Sequence, residues 1–184
     1  MNPVTAIPIE AELLVIGYGN PLRRDDGAGP RVAEAVEALN LPGVRTLVCQ
    51  LLSPEHADPI ARARRVIFVD AELVPSYTLP VAGSEAANVQ LSTGNLQPIR
   101  WRKLAPGETS QFMAHAADPR TMLALARDVF GHAPAAWWLT IPAFHLGFGT
   151  DYSPAAEAGC QTAIDAIKRL VAGNFREDTP PVVG

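Results

Sequence analysis

Two neighbouring acids stand in a glycine-rich stretch close to the N-terminus, Gly17-Tyr18-Gly19-Asn20-Pro21-Leu22-Arg23-Arg24-Asp25-Asp26-Gly27-Ala28-Gly29. Carboxylates bind cations or pass protons, and a pair of them repels phosphate, so Asp25 and Asp26 are read as a cation site or as general acid/base groups. A third acid, Asp70, follows the apolar run Val66-Ile67-Phe68-Val69, and His115 lies shortly ahead of Asp118-Pro119. Together they offer an oxygen, oxygen, nitrogen donor set that suits nickel, zinc or a similar ion and leaves coordination positions open. Each residue also has an ordinary reading. One of Asp25 and Asp26 serves as a helix cap, Asp70 accepts from loop amides, and His115 is a hydrogen-bonded surface residue.

Other chemistries lack their marks. Gly17 and Gly19 begin like a dinucleotide fingerprint, but Leu22 occupies the place of its third small residue, where a pyrophosphate would approach. No Gly-x-Ser-x-Gly motif occurs, and neither Cys49 nor Cys160 carries a local protease signature.

The elements that must carry these residues follow from the apolar pattern. Leu13 to Ile16, Val44 to Cys49, Val66 to Val69 and Trp137 to Ile141 read as strands, the central ones apolar on both faces. Ile99 and Trp101 alternate with Arg100 and Arg102, as in a more exposed strand at a sheet edge. Helices are expected from Pro30, with Val32, Val36 and Leu39 on one face, and from Ser53-Pro54, where Pro59 keeps the helix short or kinks it. Two more run from Asp118-Pro119 to Gly131 and from Ser153-Pro154, the last with Cys160, Ala163, Ile164, Ile167, Leu170 and Val171 inward. Strand and helix alternate, which predicts a three-layer α/β sandwich with a mostly parallel sheet of about five strands. Ligands of such sheets bind beyond the carboxyl ends of the strands. Asp25, Asp26, Asp70 and His115 all fall there, and so does His145 in the loop Ala143-Phe144-His145-Leu146-Gly147, where topology alone suggests a part in lining the cleft. Pro75 to Gln97 reads as a long connection.

The chain has 184 residues, enough for one domain, expected over residues 1–172 with a Pro-rich, frayed tail at 173–184. Fifteen basic and 19 acidic residues give a net charge of −4, and scattered basic residues argue against a nucleic-acid partner. No apolar run is long enough to cross a membrane, and two cysteines without a basic-apolar leader suit a reducing compartment, so a cytoplasmic monomer is expected.

The first loop, taken with Val66-Ile67-Phe68-Val69-Asp70-Ala71, resembles the hydrogenase maturation proteases. The stretches His115 to Leu125 and Trp138 to Pro142, and the helix after Ser153-Pro154, keep that family's order, so the resemblance extends from about Leu13 to Val171. It implies an endopeptidase that removes a short C-terminal extension from the large-subunit precursor of a nickel-iron hydrogenase. It implies also that Asp26, Asp70 and His115 bind nickel already inserted in the precursor, so that the enzyme holds no cofactor tightly of its own. Hydrolysis then proceeds by water activated at a carboxylate, with Asp25, Asp26 and Asp70 as the catalytic candidates, or by the metal itself. The chain departs from the family in having Cys49-Gln50-Leu51-Leu52 in place of an Asp-Gly-Gly-like turn, and in flanking His115 with Ala114 and Ala116. Two competing readings are a nickel-sensing assembly chaperone that cuts nothing and a nucleotide-binding α/β protein.

Overall fold

The computed structural model describes residues 8–74, 98–107 and 118–173. Its strands are β1 (Leu13–Tyr18), β2 (Val44–Cys49), β3 (Arg65–Leu73), β4 (Arg100–Leu104) and β5 (Ala135–Ala143). They form one sheet in the order β2-β1-β3-β5-β4, parallel except for the antiparallel β4 at the edge.

Every residue of β1 is buried, because alternate side chains serve two cores. Leu13 and Val15 pack with Val32 and Val36 of α1 (Ala28–Ala38) and with Cys160, Ala163 and Ile167 of α4 (Pro154–Ala172). Leu14, Ile16 and Tyr18 pack with Ile60 of α2 (Ala57–Ala61) and with Met122, Leu123 and Ala126 of α3 (Pro119–Phe130). The result is the expected three-layer sandwich, with α1 and α4 on one face of the sheet and α2 and α3 on the other. Asp118 caps α3 by accepting the Arg120 N–H at 2.8 Å, and Gly131 ends it in a left-handed conformation, φ 76°. Ser153 caps α4 by accepting the Ala156 N–H at 3.2 Å. No helix among the described residues is long and apolar enough to cross a membrane.

Several boundaries differ from the sequence pattern, those of α1, β3 and β5 bearing on the site. Helix α1 starts at Ala28, ahead of Pro30, after a 3-10 turn at Arg24–Gly27. Proline is tolerated there because first-turn amides have no partner within the helix. Strand β3 continues past Asp70 to Leu73, and β5 runs from Ala135 to Ala143 through Pro142, because these two strands stay paired up to Leu73 and Ala143. Asp70 is therefore a strand residue. The connection Pro75 to Gln97, the loop carrying His115 and the tail from residue 174 lie outside the described residues.

Candidate active site

The first loop doubles back on itself as soon as β1 ends. Gly19 has φ +135°, and a Cβ on it would sit 2.0 Å from the backbone oxygen of Asp26, so only glycine fits. The return brings Asp26 over Asn20, whose N–H donates to Asp26 Oδ2 at 3.1 Å, while Asn20 Oδ1 accepts the Leu22 N–H at 3.0 Å. Two arginines then fasten this loop to the one leaving β5. Arg23 Nε donates to the Leu146 carbonyl at 3.2 Å and Arg24 Nε to that of Phe148, also at 3.2 Å.

Asp25 and Asp26 occupy different surroundings. Asp25 is fully buried and accepts three backbone N–H groups, from Phe144 at 2.8 Å, His145 at 3.0 Å and Ser153 at 2.7 Å. Burial by itself would raise its pKa, but the amides of Phe144, Ser153 and His145 outweigh it and hold the carboxyl below the usual carboxylate range. The sequence suggested a base in contact with water or a cap of the following helix. Instead, this carboxylate ties the first loop to the start of α4, and α1 has no side-chain cap. Asp26 is only half-buried.

Asp70 lies one residue beyond the last β1–β3 pair, Gly17 with Val69, and opposite Thr140 of β5. Its Oδ1 accepts the Ala71 N–H at 2.8 Å. Burial pushes its carboxyl up to about 6, against the Tyr18 hydroxyl and the Ala71 amide and with help from the charges of Asp26 and Glu72. The acids from the first loop and from β3 thus feel each other at the carboxyl edge of the sheet. Burial and the Asp70 charge raise the Tyr18 phenol, so it stays neutral. Its hydroxyl is buried without a hydrogen bond of full geometry among the described residues.

His145 is exposed in the loop after β5, its backbone paired with Asp25 in both directions: its N–H donates to the carboxylate, and its carbonyl accepts the Asp25 N–H at 3.1 Å. His115 is outside the described residues, and among those described no group of three or more potential metal ligands converges. Two residues at this edge escaped the sequence reading. Tyr18, between two glycines, carries no sequence signal of its burial beside Asp70. Glu72, two residues beyond Asp70 and so on the same side of β3, carried a period-two signal that an ending strand at Asp70 had hidden.

No family model matches the chain, and no curated protein matches it. Solved structures do. The maturating endopeptidase HybD from E. coli superposes with a TM-score of 0.59 at 19% identity, over 89% of this chain and 93% of that one. The NiFe hydrogenase maturation protease HybD from Thermococcus kodakarensis gives 0.57 at 19% identity, over 87% of this chain and 99% of that one. A hydrogenase 2 maturation peptidase from a Thaumarchaeota archaeon gives 0.55 at 20%, over 90% and 99%. The chain has the fold of these proteins.

Proposed function

We propose that the protein is an endopeptidase that trims the C-terminal extension from a nickel-iron hydrogenase large-subunit precursor after nickel insertion. The observation that carries this reading is that Asp26 and Asp70, from separate elements, stand at the carboxyl edge of the sheet near enough for the charge of Asp26 to help raise the Asp70 carboxyl, in a chain with the fold of hydrogenase maturation proteases. Exposed Leu22, Leu51 and Phe148 in the segments leaving β1, β2 and β5, with Leu73 at the end of β3, suit a protein substrate.

In this reading nickel arrives with the substrate. Asp26 and Asp70 offer it oxygen donors, with His115 as the expected nitrogen donor, and docking of the metal aligns the scissile bond. A carboxylate of this edge takes the proton of the attacking water and returns it to the leaving amine. Asp25 acts as a positioning residue: its three amide contacts hold the loop that presents Asp26. The enzyme is read as cytoplasmic and monomeric, without a cofactor or nucleic-acid partner of its own.

Incubating nickel-loaded precursor with wild type, Asp26→Ala and Asp70→Ala tests the assignment. Wild type is expected to shorten the precursor, and each variant to lose at least about 100-fold in rate while melting as a folded protein. Cleavage at the wild-type rate by either variant removes that residue from the mechanism. Stable binding without cleavage by wild type favours the chaperone reading.

A further inference from the structure

A second polar cluster lies beside Asp70 on the same face of the sheet. Residues opposite one another in neighbouring strands project to the same side. The register sets Asp70 opposite Thr140, and Thr140 opposite Arg100. Glu72 on β3 and Arg102 on β4 share that side, being two residues along their strands, and Arg102 faces Trp138 of β5. The Thr140 hydroxyl donates to Glu72 Oε2 at 2.6 Å. Glu72 Oε1 then lies 3.7 Å from a guanidinium nitrogen of Arg100 and equally of Arg102. The Arg102 guanidinium rests over the Trp138 ring, 4.6 Å from its centroid.

These contacts hold the arginines without consuming their donors. At 3.7 Å the pairs are electrostatic, and among the described residues neither guanidinium donates a hydrogen bond. One carboxylate shared by two guanidinium groups leaves net positive charge, on side chains 62% and 50% exposed. A guanidinium held over an indole face is preorganised for a second carboxylate. The neighbourhood narrows the ligand. Asp26, Asp70 and Glu72 repel a free polyanion, whereas a peptide can lay its neutral backbone by the acids and set one carboxylate on the arginines.

We infer that Arg100 and Arg102, held by Glu72 and Trp138, form a subsite for a carboxylate of a peptide substrate, from an acidic side chain or a free C-terminus, next to the bond presented at Asp26 and Asp70. The inference rests on the proteolytic reading given above and is tested separately from it.

One arm needs no cleavage. Acetyl-Ala-Ala-Glu-Ala-Ala-amide, its Gln counterpart and acetyl-penta-alanine with a free carboxyl are titrated against the protein while tryptophan emission is followed, with Trp138→Phe identifying the reporting ring. Saturable quenching is expected from the Glu peptide or the free-carboxyl peptide, and which of them responds names the source of the carboxylate. Binding at least about 10-fold weaker is expected for the Gln peptide and for the Arg100→Ala/Arg102→Ala double variant. The other arm is cleavage of the precursor, where the double variant is expected to raise KM about 10-fold and change kcat less than about twofold. Equal affinity for charged and neutral peptides, or an unchanged KM in a double variant that melts normally, overturns the subsite and leaves the proteolytic reading intact. If wild type cuts no precursor, that reading falls while the peptide titration still decides the subsite.

Discussion

A carboxylate acts according to what surrounds it: Asp25 is fully buried and Asp70 half-buried, with opposite results. Asp25 has three amides aimed at it, so replacing it by Ala strands three donors. Asp25→Ala is expected to lose about 2–4 kcal/mol in urea unfolding. Asp70 has a folded pKa of about 6 against an ordinary 3.8, so between those values the folded chain binds more protons than the unfolded one. Stability from this group is full below pH 4 and is lost as pH rises through 6. Asp70→Asn removes the buried charge. In metal-free buffer it is expected to be more stable than wild type by about 1–3 kcal/mol at pH 7.5, a gain that shrinks toward zero at pH 4. A melt showing no gain at pH 7.5 contradicts the assigned environment of Asp70. Residue types and order made Asp26 and Asp70 legible as candidates. The burial of Asp25 was not legible, because its partners lie about 120 residues away, in a loop whose amides leave no mark in the sequence.

At the scale of elements, the site depends on how closely α1 approaches the sheet. A Cβ on Gly29, in the first turn of α1, would lie 2.4 Å from the Tyr18 carbonyl oxygen and 2.5 Å from that of Val69. Both are strand backbone and cannot yield, so Gly29→Ala must push the helix off the ends of β1 and β3. That variant is expected to lose about 3 kcal/mol and, with it, the placement of Asp26, whereas Ala at exposed Glu34 of α1 is expected to stay within about 0.5 kcal/mol. Equal melting of the two variants contradicts this packing. Apolar runs, prolines and caps announced every strand and helix described above, since each signal is local. The lengths of β3 and β5 were hidden because Asp70, Glu72 and Pro142 read as strand endings, and only their mutual pairing keeps them in the sheet.

Across the whole molecule, a parallel sheet with covered faces leaves its loops as the place where chemistry can sit. The first loop and the loop after β5 are fastened together there by Arg23, Arg24 and Asp25, beside the end of β3. That convergence follows from strand order, which alternation of elements constrains but does not state; the position of Asp70 next to the first loop needed β1 and β3 to be neighbours. In the proposed function this edge cuts a nickel-bearing protein substrate. The direct measurement is the intact mass of a nickel-iron hydrogenase large-subunit precursor, nickel-loaded and nickel-free, after incubation with wild type and with Asp70→Ala. Loss of one C-terminal fragment is expected from the loaded precursor with wild type alone, and no change in any other mixture. An unchanged mass for the loaded precursor with wild type, or equal trimming of the nickel-free form, contradicts it.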